Sequence, residues 1–251
     1  MDPVSRVERP VEERLQSLNV LFTRAGMPYA LIGATAILVH GISLPRTTRD
    51  LDFAVSVGRD IEEVRTLFEA NGFRSATVRH RFITEEGMEI DVLPVVAGDR
   101  AHRLELPGGD RISAVGLREA IETAKAVSVS GGSVRVALLA VLAAIKLHAA
   151  TVRVGGPDLG DAFAVLHQYE SAGGRRFDVD YIAEQGLTWE TAGAWLAGRD
   201  VRTLLRPESR AAVLAALGQL RGDVRLTDRF ASGPENRALV DAFRAGLAAA
   251  S

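Results

Sequence analysis

Between Asp50 and Val55 the chain reads Asp-Leu-Asp-Phe-Ala-Val, with charged and apolar residues in alternation. A period of two is the pattern of a half-buried strand. Such a strand needs a sheet with one face covered, because a slip of one residue would exchange its buried and solvated sides. Asp50 and Asp52, two residues apart, then project from the same face. Upstream, the short apolar run Tyr29-Ala30-Leu31-Ile32 gives way at Gly33-Ala34-Thr35 to helical spacing through about His40-Gly41. The order is strand, tight turn, helix. An amphipathic helix from about Pro10 to Ala25 comes first, with Val11, Leu15, Leu18, Leu21 and Phe22 at helical spacing and Gly26 as its stop.

Beyond the alternating strand, Ile61 to Asn71 reads as a helix closed by Gly72. Arg81-Phe82-Ile83-Thr84 and Met88-Glu89-Ile90-Asp91-Val92-Leu93 read as a hairpin around Glu86-Gly87, which puts Asp91 on a strand. From about Ser113 the pattern turns helical. Gly116 to Val127, Val136 to Val152 and Asp158 to about Glu170 are candidate helices, and three or four more follow. The expected class is α/β (α+β): a mixed β-sheet lobe with flanking helices over residues 1–125, plus a helical C-terminal lobe over 126–251. A chain of 251 residues is long enough for two such cores.

Composition narrows the setting. A hydrophobic fraction of 47% with 25% charged residues is that of an ordinary globular chain. Lys and Arg total 30 against 32 for Asp and Glu, so overall charge does not by itself point to nucleic acid. With no cysteine there is no disulfide framework and no thiolate metal site, which fits a reducing cytosol. The polar start, Met1 to Arg6, is unlike a secretory signal, and no later segment is apolar enough to span a bilayer. A cytoplasmic protein with no membrane partner is expected.

Two carboxylates on one strand face repel each other unless a cation joins them. Hard divalent ions such as magnesium take carboxylate oxygens together with substrate phosphates. Asp91 can add a third carboxylate if its strand is a neighbour, and the trio Asp50, Asp52 and Asp91 would suit one or two ions, with Asp91 as general base. The plain alternative is that an Asp-x-Asp on an exposed strand serves solubility. The turn at Gly33 reads two ways as well: backbone N–H groups opening a helix can hold phosphate, and any strand-to-helix turn can need a glycine for its backbone angles. His40, His80, His102, His148 and His167 lack metal-ligand spacing and read as structural or surface residues.

Taken together, Leu31-Ile32-Gly33-Ala34-Thr35-Ala36, Arg46-Thr47-Thr48-Arg49-Asp50-Leu51-Asp52 and Ile90-Asp91-Val92 resemble the DNA polymerase beta-like nucleotidyltransferase superfamily, and within it the AbiEii-type toxin nucleotidyltransferases. That group shows a Gly-Gly-Thr-Ala turn, an Arg-x-Thr-x-Asp-x-Asp stretch, a third acid on a later strand, and a helix with Lys and then Arg before Lys-Asp-x-x-Asp. Here Lys146, Arg153 and Asp158-Leu159-Gly160-Asp161 stand in those last places. Two departures are Ala34 for the second glycine and Pro157 for the lysine before Asp158.

The resemblance implies a nucleotidyltransferase fold and transfer of NMP from a nucleoside triphosphate to an acceptor hydroxyl with Mg2+. It implies metal ligands Asp50, Asp52 and Asp91, and phosphate contacts from Gly33, Ala34, Thr35 and Lys146, with Arg46, Arg49, Asp158 and Asp161 bordering the nucleotide. Lys146 reads alternatively as a snorkelling lysine, Asp158 and Asp161 as first-turn acids, and Arg46 and Arg49 as partners of nearby carboxylates. A toxin acting on tRNA and paired with a cognate antitoxin is the implied role. An aminoglycoside or lincosamide nucleotidyltransferase and a catalytically idle nucleotide-binding module are the alternatives. An RNA acceptor predicts a basic surface, for which Arg199, Arg202, Arg206 and Arg210 are candidates, and a small-molecule acceptor predicts acidic lining in the second lobe.

Overall fold

In a computed structural model of the chain, the described residues are 9–96, 103–105, 111–129, 132–153, 155–229 and 233–249. The polar start and His102 lie outside them. The chain divides into two compact units, Met1–Leu138 and Leu139–Ser251. In order, the first unit holds α1 (Arg9–Arg24), β1 (Tyr29–Ile32), α2 (Gly33–Val39), β2 (Leu51–Val57), α3 (Glu62–Glu69), β3 (Arg74–Ser75), β4 (Arg81–Ile83) and β5 (Glu89–Val96). It continues with β6 (Arg103–Glu105), β7 (Arg111–Ser113), α4 (Leu117–Thr123), β8 (Lys125–Val129) and β9 (Gly132–Val136). The second unit holds α5 (Leu139–Val152), α6 (Asp158–Gln168), α7 (Val179–Glu184), α8 (Trp189–Leu204), α9 (Pro207–Gln219) and α10 (Asn236–Ala248).

Seven strands form one mixed sheet in the order β3-β4-β5-β2-β1-β9-β8, while β6 and β7 pair separately. β2 is central, antiparallel to β1 and parallel to β5. The expected mixed sheet with flanking helices, followed by a helical region, is what the chain forms. Alternation on β2 buries Leu51, Phe53 and Val55 and leaves Asp52 and Ser56 partly open. Phe53 belongs to an aromatic cluster that reaches the covering helices: Phe22 of α1 stacks on Tyr29 at 4.8 Å, and Phe68 of α3 lies 4.5 Å from Phe82. Such pairs contribute roughly 0.5–1.5 kcal/mol each beyond their buried area.

One expected helix is not formed as drawn. The stretch from Gly116 to Val127 holds the shorter α4, and its end joins a hairpin, β8 and β9, whose second strand runs parallel to β1 with Leu31 opposite Val136. Val127, Val129, Val134 and Val136 alternate on either side of Gly131-Gly132, and β-branched residues at that period favour a strand. The first unit therefore extends to Leu138, past the boundary expected at residue 125.

In the second unit α5 is buried along nearly its whole length, as a helix apolar on every side should be. Helices α8 and α10 approach with backbones in contact. A Cβ on Gly198 would stand 2.1 Å from the Phe243 carbonyl oxygen, and one on Gly246 would stand 2.0 Å from that of Trp195. Neither obstacle is a flexible side chain, so Gly198→Ala and Gly246→Ala should each cost about 1–3 kcal/mol or more through forced separation of the helices. Gly218→Ala in α9 meets nothing within 4 Å and should leave stability unchanged or raise it by up to about 1 kcal/mol. Thermal denaturation of the three variants checks both halves of this expectation.

Candidate active site

β1 ends at Ile32, paired with Asp52 across the antiparallel ladder, and the chain turns at once into α2. Gly33 makes that turn with φ +71, in the left-handed region. The reason for glycine here is specific. A Cβ on Gly33 would lie 2.0 Å from Asp52 Oδ2, so the carboxylate occupies the space a side chain would need. Thr35 is buried and donates its hydroxyl to the Asp50 carbonyl at 2.8 Å, which ties the first turn of α2 to the start of β2. Ala34 is also buried, so the methyl that replaces the expected second glycine lies in packed interior. At the other end of α2, His40 Nε2 meets the Ala137 carbonyl at 2.8 Å, and burial holds the imidazole below its usual pKa.

Asp52 and Asp91 are register partners on the parallel pair β2 and β5, so their side chains leave the same face of the sheet. Asp50 stands exposed one residue before β2 begins. The three aspartates thus come to one end of the central strands. Arg46 and Arg49 lie on the loop that leads into them. Among the described residues, however, no three His, Asp or Glu groups converge as a set that could hold a metal ion. Asp91 is engaged instead by an arginine. Arg81, directly opposite it on β4, donates Nε to Oδ1 at 2.7 Å and Nη2 to Oδ2 at 2.8 Å, and its Nη1 lies 2.5 Å from Glu89 Oε2. The hydrogen bonds to Asp91 raise the Arg81 pKa above its usual range, and the charges of Asp91, Glu89 and Asp50 add to the effect.

Arg81 is the site residue that motif reading passed over. The signal was the hairpin: counting outward from the turn at Glu86 sets Arg81 across from Asp91.

Lys146, Asp158 and Asp161 form a network of their own inside the second unit. Lys146 Nζ lies 2.9 Å from Asp158 Oδ1 and 3.0 Å from Asp161 Oδ2, and all three side chains are buried. Arg153, exposed, reaches Asp158 Oδ2 at 2.8 Å. The lysine is therefore not a snorkelling surface residue, and its ammonium is engaged by α6. Of the candidate basic stretch, Arg202 donates to the Ala249 carbonyl and Arg210 to the Arg202 carbonyl, while Arg199 stacks over Trp195 at 5.1 Å. Arg199 and Arg206 are exposed.

No protein-family model and no curated protein matches the chain. Among solved structures, it is similar to an antigenic nucleotidyltransferase-like protein from Paracoccidioides brasiliensis, at 14% identity and TM-score 0.43, over 70% of this chain and 88% of the other. The lincosamide antibiotic adenylyltransferase LnuA, with lincomycin bound, aligns at 15% identity and TM-score 0.42, over 63% and 96%. The Thermotoga maritima CCA-adding enzyme, in complex with tRNA, aligns at 13% identity and TM-score 0.29, over 99% and 81%. None of the three reaches a TM-score of 0.5.

Two substitutions test the local geometry. Gly33→Ala should cost at least about 1–2 kcal/mol from the left-handed backbone alone, with a further loss from displacing the Asp52 carboxylate, read by chemical denaturation. Lys146→Ala removes the ammonium that both buried carboxylates engage. It should destabilise the second unit by about 3–5 kcal/mol in the same assay, as breaking a buried ion pair does.

Proposed function

We propose that the chain is a magnesium-dependent nucleotidyltransferase that moves NMP from a nucleoside triphosphate to an acceptor hydroxyl. The observation that carries this reading is the seating of Asp52 against Gly33, with Asp91 directly across on β5. A carboxylate pressed to a glycine at the opening of α2 leaves no side chain between the backbone turn and whatever the carboxylate holds. The donor set is hard oxygen, which suits magnesium. Asp50 and Asp52 would hold the ion, with Asp91 available beside them, and a bound ion would supply positive charge to the triphosphate.

The chain's own groups would do the rest. Backbone N–H groups at Gly33, Ala34 and Thr35 hold phosphate oxygens, and Arg46 and Arg49 border the nucleotide. The acceptor oxygen attacks the α-phosphorus, its proton passes to Asp91 as general base, and the bond from the α-phosphorus to the bridging oxygen breaks as pyrophosphate leaves. Positioning and fixed charge provide most of the acceleration in such a transfer.

For the acceptor we carry forward the reading given by the AbiEii-type resemblance: a tRNA end, with the chain acting as the toxin of a pair and a cognate antitoxin as its partner. The second unit contains a cavity of about 380 Å³ lined by Arg175, Asp178, Leu196, Arg199, Asp200 and Thr203. Two arginines and two aspartates share that lining, so its charge favours neither an RNA nor a cationic small-molecule acceptor.

Purified protein incubated with Mg2+, each labelled nucleoside triphosphate, and either total tRNA or an aminoglycoside and a lincosamide tests the reading. The expected result is Mg2+-dependent labelling of tRNA, reduced at least about a thousand-fold by Asp50→Asn/Asp52→Asn, a loss of about 4 kcal/mol in transition-state stabilisation. Labelling of an antibiotic would overturn the acceptor and keep the chemistry. Nucleotide binding with no transfer to any acceptor would favour the idle binding module.

A further inference from the structure

The acidic end of β2 and β5 already has a cation. Arg81 stands on β4, on the side of Asp91 away from Asp52, and its guanidinium takes both oxygens of the Asp91 carboxylate in a fork. A fork of this kind uses one lone pair from each oxygen and aims the carboxylate end-on at the arginine. Asp91 is thereby turned toward β4, while its register partner Asp52 rests on Gly33 on the other side. Glu89 shares the face of β5 with Asp91, two residues away, and lies 2.5 Å from the same guanidinium. Asp50 adds a longer-range attraction. Three carboxylates are thus disposed about one fixed positive charge, and arginine keeps that charge at any pH a protein tolerates.

Resting on the proposed metal-dependent transfer, we propose that Arg81 is a positioning residue that competes with the divalent ion for Asp91. In the free protein Asp91 is parked on Arg81, which offsets the repulsion of the acidic cluster. Binding of the ion draws Asp91 out of the fork, and Glu89 retains the guanidinium when Asp91 leaves. Ion affinity then includes the free energy of opening the fork, so it is weaker than the three aspartates alone would provide. Nucleoside triphosphate, arriving with the ion, favours the opened arrangement further, so Asp91 is most fully available as ligand and base when substrate is present.

This role differs in sign from the usual one. A residue that orients a ligating carboxylate strengthens the metal site, and its loss weakens metal binding by about 10–100-fold. Loss of a competitor tightens it.

The experiment is a titration of the full-length protein with Mn2+, followed by loss of the free-ion paramagnetic resonance signal, for the wild type, Arg81→Gln, Arg81→Lys and Asp52→Asn, each checked for folding by circular dichroism. The expected result is Mn2+ affinity about ten-fold or more tighter in Arg81→Gln, where a unit positive charge beside the site is removed. Arg81→Lys, which keeps the charge and loses the fork, should fall between it and the wild type, and Asp52→Asn should bind more weakly than all. Unchanged or weaker binding in Arg81→Gln, with wild-type binding still dependent on Asp52, overturns the competition and leaves the metal site standing. Absence of Mn2+ binding in every protein overturns the metal site and the inference together. Should Arg81→Gln not fold, the comparison of Arg81→Lys with the wild type decides by the same criterion.

Discussion

The Asp52 carboxylate rests against the α-carbon of Gly33, in space that a methyl would fill, and the elements on either side take their positions from that contact. β1 must end where Ile32 meets Asp52, α2 must begin with a left-handed residue, and Thr35 can then reach back to the Asp50 carbonyl. The aromatic cluster of Phe22, Phe53, Phe68 and Phe82 secures the opposite face of the same strands. Alternation on β2 therefore joins stability and chemistry at neighbouring residues: Phe53 holds the sheet to its helices, and Asp52 is presented because Phe53 is not.

The two units handle buried charge by different means. In the second, Lys146, Asp158 and Asp161 are enclosed together between α5 and α6, and each charge depends on its partners to be tolerable away from water. In the first, the Arg81 fork is partly open to solvent, with its arginine about a third exposed. An exchangeable pair is easier to open when water can take up the separated charges. The helical network reads as architecture, and the pair across β4 and β5 reads as a place where partners can change.

Much of this was legible in the residue pattern. The strand at Leu51–Val57, the turn at Gly33, the hairpin around Glu86-Gly87 and the helices at Arg9–Arg24 and Asp158–Gln168 follow local periodicity and punctuation, which sequence carries directly. What escaped was of two kinds. The β8 and β9 hairpin lies in a stretch rich in alanine and valine, where helix and strand patterns overlap, and its strand character depends on the free edge of β1, about a hundred residues earlier in the chain. Arg81 escaped because the resemblance names acids, and a cross-strand partner is found only by counting register through a turn. The engagement of Lys146 by both Asp158 and Asp161 depends on the packing of α5 against α6, which spacing alone does not specify.

The pairing of β9 with β1 also orders events in time. β1 can meet β2 as soon as the chain reaches Val57, since that ladder is antiparallel and local. Its other edge stays bare until Val136 has been made, because only then can a strand lie beside Leu31 in parallel. During synthesis the first unit therefore passes through a stage with the site residues Gly33, Asp52 and Asp91 all present and the sheet still open at β1. An exposed strand edge invites pairing with other chains, and long-range parallel pairing is slow to form. β9, Gly132–Val136, acts as the closing strand of this unit, and a chain cut at residue 125 would leave that edge unprotected.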